Sequence, residues 1–167
     1  MLTRATIDLS LLGYAVLLGF LLLKRAAQPL PSWLRWISTI SCLLCLVHIA
    51  MAMHYYHNWS LSDAIDHTAK ITEEQVGLKF GGGVYFNFIF AFFWLADVSW
   101  CWLAKTSYDN RPKWVTIALH LYLTFIAING AVVFETGVTR WVGFGVCTAI
   151  LGLLLWKPRH SPLPPND

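Results

Sequence analysis

Apolar residues in this chain gather into long blocks over about 7 to 23, 33 to 56, 80 to 104, 114 to 134 and 140 to 156, with short polar connections between them. An α-helix needs about 20 apolar residues to cross ~30 Å of hydrocarbon, and the blocks match that length. Barrel strands are much shorter, and backbone polar groups in lipid must be satisfied within the segment, so each block is predicted as a helix. The pattern predicts an all-α fold, an integral membrane bundle of five transmembrane helices, as a single domain over residues 1–157. Residues 158–167 form a Pro-rich tail for which no fold is expected.

The longest polar stretch, Trp59 to Lys79, breaks the pattern between the second and third blocks. Ser62 suits an N-cap, Ala64, Ile65, Thr68, Ala69 and Thr72 recur at helical spacing, and Gly77 suits an end. This predicts a short amphipathic helix lying on the outer membrane surface. Gly81, Gly82 and Gly83 then open the third span, permitting a tight re-entry or a close backbone approach.

Charge sets the orientation. Lys24, Arg25 and Arg35 flank the first connection, Lys105, Arg111 and Lys113 the third, and Lys157 and Arg159 the tail. The positive-inside rule makes these cytoplasmic, so the N-terminus is outside and the C-terminus inside. Trp33, Trp36, Trp100, Trp102, Trp114 and Trp156 fall near the same inner boundary, as an aromatic belt would. The first block ends in Lys24-Arg25 rather than in a small-residue cleavage site, so it reads as a retained span.

Composition narrows the class further. With 57% hydrophobic and only 13% charged residues, the chain does not read as a soluble globular domain. Its net charge of +3 lies in the connections, with no basic stripe, so no nucleic-acid partner is expected. The expected environment is a lipid bilayer, for a multi-pass protein of the bacterial cytoplasmic membrane type, with other membrane subunits or further copies as possible neighbours. Cys42, Cys45, Cys101 and Cys147 all lie in apolar blocks, which is not a disulfide framework. Buried mid-helix, the Cys42-x-x-Cys45 pair reads as packing.

The candidate chemistry begins with Cys42, Cys45, His48, Met51, His54 and His57, metal-binding residue types at every third position. Successive members are rotated by 60° on an α-helix, so they cannot share one site. Ser38, Ser41, Cys45, His48 and Ala52 are expected to face the bundle interior, opposite Gly83, Asn87, Asp97 and Cys101 in the third span and His120, Thr124, Ala127 and Ala131 in the fourth. Asp97 and His120 both fall roughly 10 Å from the inner boundary, so Asp97 is expected to accept a hydrogen bond from His120 or from a tryptophan indole. His48 and Asn87 lie further out, and with Asp97 and His120 they form a polar ladder able to carry protons or an ion.

The outer cluster is richer. His54 and His57 at the helix end, His67 with Asp63 four residues before it, and Glu135 at the end of the fourth block make a three-histidine, one-carboxylate set. Such donors suit copper, iron or zinc, with Asp63 expected to orient His67. Haem fits less well, because His48 and His120 differ in depth by roughly 13 Å. These features point to a metal-binding or redox-related membrane protein with a His-rich outer site. Two alternatives stay open: a non-catalytic accessory or assembly subunit, and a small transporter or ion-conducting component. Whether the chain is an enzyme stays open too, since no serine elbow, phosphate-binding loop or His-Glu-x-x-His is present.

Overall fold

The computed structural model describes residues 2–23, 29–134 and 138–155. Every regular element among them is helical: α1 (Leu2–Leu23), α2 (Ser32–Tyr55), α3 (Leu61–Val76), α4 (Gly83–Leu103), α5 (Lys105–Asp109), α6 (Lys113–Ile128) and α7 (Val138–Leu155). A π-helical turn, Asn129–Val133, continues α6. Glu135, Lys24, Arg25, Trp156 and the tail lie outside the described residues.

Four stretches are long and apolar enough to cross a membrane: Leu2–Leu23, Ser32–Tyr55, Gly83–Leu103 and Lys113–Val133. The fifth block is helical as predicted, but its apolar part, Arg140–Gly152, is shorter than the other four. α1 begins at Leu2 rather than near residue 7, because its polar first turn does not break the helix. The Thr6 hydroxyl donates to the Thr3 carbonyl at 2.8 Å and so is satisfied inside the helix itself. Pro31 and Pro112 stand as N-caps of α2 and α6, where a missing N–H costs nothing.

α1 and α2 form the most extensive packed pair. Small residues allow it: a Cβ added to Gly13 would lie 2.0 Å from Ser41 Oγ, and the Ser10 hydroxyl donates to the Ser41 carbonyl at 2.7 Å. The expected inner stripe of α2 is present, with Ser38, Ser41 and Cys45 buried, and Cys42 is buried beside it. The core closes on Tyr14, Leu34, Phe90, Trp94 and Leu123. Trp94 lies edge-on to Tyr14 and Phe90, at 5.2 and 5.4 Å between ring centroids, and its indole donates to Ser38 Oγ at 3.3 Å. All four cysteines are free.

The opposite faces are apolar and uncovered. Leu9, Leu12, Val16, Ile40, Leu43, Val47, Phe92, Leu121 and Phe125 are all exposed on the spanning helices. A continuous apolar belt of this kind needs an apolar medium. Trp36 and Trp102 meet at 4.9 Å at the end of the bundle that carries α5, where the tryptophan belt was expected.

Candidate functional site

The corner between α2 and α3 brings one part of the predicted histidine cluster together. α2 ends at Tyr55, and Asn58 and Trp59 take positive φ values of 45° and 60°. A bulky residue in the left-handed region is uncommon, and here it reverses the chain, with Trp59 N–H donating to the Met53 carbonyl at 2.8 Å. The N-cap of α3 is Ser60 and not Ser62: its Oγ accepts from the Asp63 amide at 3.2 Å. Gly77 ends α3 at φ 75°, as expected.

This fold-back carries the Asp63 carboxylate to His57. His57 Nδ1 lies 2.7 Å from Asp63 Oδ2, and the His57 and His67 rings are 5.4 Å apart. The expected Asp63–His67 pair is therefore replaced by Asp63–His57. His54 does not join them. Its ring packs against Tyr55 at 4.8 Å and Trp59 at 6.4 Å and is exposed. The physical reason is that His57 lies past the helix end, so the 60° offset expected from a continuing helix does not apply. Glu135, the fourth member, is outside the described residues. Among the described residues, no group of three or more His, Cys, Asp or Glu is arranged to hold a metal ion.

His57 also lines a cavity of about 280 Å³ enclosed by α1, α2, α3, α4 and the end of α6. Its polar lining is Asp8, His48, His57, Thr68 and Asn87, and its apolar lining includes Leu11, Ile49 and Phe90. His48 and Asn87 thus line the same cavity, although Asn87, expected to face the bundle interior, is exposed. His48 Nδ1 is 2.8 Å from the Thr3 carbonyl oxygen. A carbonyl only accepts, so Nδ1 carries the proton and Nε2 is the remaining acceptor of the neutral ring. A second, more apolar cavity of about 410 Å³ lies between α1, α6 and α7 and shares Asp8, Leu11, Ala127 and Ala131 with the first. Asp8 was missed as a site residue. The signal was present: it is the one Asp or Glu in the first apolar block.

The inner polar residues pair differently from expectation. Asp97 is buried, and its partners are Arg111 and Tyr108, not His120 or an indole. Arg111 Nη1 donates to Asp97 Oδ1, and the Tyr108 hydroxyl donates to Oδ2 at 3.3 Å. The guanidinium lies 4.0 Å from the Tyr108 ring centre, and its Nε donates to Thr116 Oγ1 at 2.8 Å. The short helix α5 and the turn after it fold Tyr108 and Arg111 back onto α4, which a reading of Arg111 as a loop charge does not anticipate. Burial raises the Tyr108 phenol above its ordinary pKa, and the Asp97 charge adds to this while Arg111 opposes it. Beside it, buried Arg35 donates to the Leu30 carbonyl at 3.1 Å and pairs with Asp109 at 3.5 Å.

His120 meets Tyr14 instead. The Tyr14 hydroxyl is 3.3 Å from His120 Nδ1, 3.2 Å from the His120 carbonyl and 3.1 Å from Thr124 Oγ1. His48 and His120 therefore contact α1 at Thr3 and Tyr14, roughly 16 Å apart along the helix axis. That separation keeps them from facing one upright haem.

Fold and site together define a helical bundle with an apolar belt, closed at the α5 end by the buried Asp97–Arg111 pair and hollowed at the α3 end by a mostly apolar cavity that carries a few polar groups. No protein-family model, curated protein or solved structure matches this chain.

Proposed function

We propose that the chain is a five-span membrane protein whose outer end binds a transition-metal ion, copper, zinc or iron, on His57 and His67. α7 serves as the fifth span, α3 lies on the outer surface, and the basic α5 end faces the cytoplasm, in keeping with the positive-inside rule. The observation that carries the metal reading is the His57–Asp63 bond at 2.7 Å with the His67 ring 5.4 Å away.

Metal-ligating histidines usually give their second N–H to a carboxylate, which fixes the ring and raises its basicity. Asp63 stands in that relation to His57. Two imidazoles on one tetrahedral ion, each with a metal–nitrogen distance of about 2.0–2.1 Å, place their ring centres roughly 5 Å apart. Two protein ligands leave open coordination positions, which suits exchangeable binding and redox or metal-handling chemistry more than a closed structural site.

Elemental analysis of the purified protein after loading with copper or zinc tests this. One ion per chain is expected, lost in His57→Ala and His67→Ala and retained in His54→Ala. Native protein that holds no metal above background after loading refutes the reading.

A further inference from the structure

Asp8 is a carboxylate in a helix long and apolar enough to span a membrane, and among the described residues it has no hydrogen bond or ion pair. An ionisable group at membrane depth costs at least a few kcal/mol unless it is paired, and such groups face cavities where they meet substrates or ions. The other carboxylate within the spanning helices, Asp97, follows the pairing rule with Arg111. Asp8 carries no such pair, and it lines both cavities.

The lining around it is rich in acceptors. His48 donates its Nδ1 proton to the Thr3 carbonyl and His57 its own to Asp63, which leaves Nε2 of each ring to meet a guest. Thiols aside, the Asn87 amide and the Thr68 hydroxyl are the donors lining the first cavity, the Tyr14 and Thr124 hydroxyls of the second are engaged with each other and with His120, and among the described residues no Lys or Arg lines either cavity. A guest that complements this lining brings the donors and the positive charge. A bare metal ion would leave the mostly apolar lining of both cavities unfilled. The guest's charge must come on an organic body, and an adjoining apolar cavity of about 410 Å³ is there for its hydrocarbon.

We infer that the two cavities bind a lipophilic organic ammonium ion, its N–H groups at Asp8 and His48 and its hydrocarbon running past Leu11, Ala127 and Ala131 toward α7. This goes beyond the metal reading and does not depend on it.

The test compares octylammonium with its neutral counterpart octan-1-ol, titrated onto the full chain in nanodiscs against empty nanodiscs. Octylammonium is expected to bind saturably, at least tenfold tighter than the alcohol. Asp8→Asn should remove that tenfold preference while leaving the alcohol unchanged, and Asp8→Glu should restore it to within about threefold. Asp8→Asn removes an unpaired charge, so folding is not its weak point; should it nonetheless fail to fold, the Asp8→Glu result and the protection of Cys147 decide. Cys147 lines the second cavity, and octylammonium should slow its alkylation by N-ethylmaleimide severalfold, where octan-1-ol does not. Equal binding of amine and alcohol, an undiminished preference in Asp8→Asn, or unprotected Cys147 overturns the inference. His67→Ala, which removes a metal ligand outside the cavity lining, should keep full ammonium binding, so each reading fails on its own readout.

Discussion

Replacing Arg111 by Leu would leave the Asp97 carboxylate buried with the Tyr108 hydroxyl as its remaining partner among the described residues, and the cost can be worked from the structure. The two side chains are 6% and 4% exposed, so solvent screens the pair little. Removing one partner of a buried ion pair typically costs about 3–5 kcal/mol, mostly because an unpaired charge stays behind. Taking ~2–4 °C per kcal/mol for a chain of this size, the melting temperature should fall by roughly 6–20 °C. The double substitution Asp97→Leu with Arg111→Leu removes both charges at once, and buried pairs replaced by apolar side chains are often neutral or stabilising. Its stability is expected within ~1 kcal/mol of the native chain, so the coupling energy of the cycle comes to about 3 kcal/mol or more. The assay is thermal unfolding in detergent, followed by tryptophan fluorescence and repeated by titration with a denaturing detergent. A single-variant loss below ~1 kcal/mol, or additive losses in the double variant, would refute the pairing argument. A parallel cycle between Asp97 and His120 should show no coupling, since His120 contacts Tyr14.

Gly81→Ala should destabilise by ~1–3 kcal/mol, because its new Cβ would lie 2.5 Å from the Ile65 carbonyl oxygen and must push α3 away from α4. Hydrogen exchange across residues 61–76 should quicken in that variant. Gly82→Ala, whose Cβ would meet only the Phe80 ring, should cost less, and an equal effect of the two would refute the backbone-contact argument. Ser60→Ala should cost about 1 kcal/mol and speed exchange at the Asp63 amide, whereas Ser62→Ala should leave that amide unchanged.

What was legible in the sequence, and what was not, follows from how far each inference reaches. Hydropathy averages over about 20 residues, and the bilayer imposes its demand on that same length, so α2 and α4 were placed within about three residues. Helical azimuth held for Ser38, Ser41 and Cys45 of α2, which face inward, but not for Asn87 of α4, which is exposed. It failed at His57, two residues past the end of α2, where the left-handed Asn58 and Trp59 redirect the chain and a capping serine decides which histidine receives Asp63. Such a corner is set by local dihedral angles that no periodicity reports. The Gly81 approach to α3 was foreseen as a possibility because glycine permits it, but only the fold says which backbone comes close.

The two misjudged ionisable residues, Arg111 and Asp8, share a cause. Arg111 reads from the sequence as a loop charge, yet α5 folds it onto Asp97; Asp8 reads as part of an apolar block, yet it lines both cavities. Charge at membrane depth has to be settled partner by partner, and the partners come from short connecting elements as often as from facing helices. Once Arg111 is assigned to Asp97 and Arg35 to Asp109, Asp8 is left over beside a cavity whose histidines have already spent their Nδ1 protons. The polar ladder expected from the sequence therefore divides. Its inner half, Asp97, is locked by Arg111 and Tyr108 and holds the bundle together, while its outer half, His48 and Asn87 joined by Asp8, keeps the unused acceptors that a ligand requires.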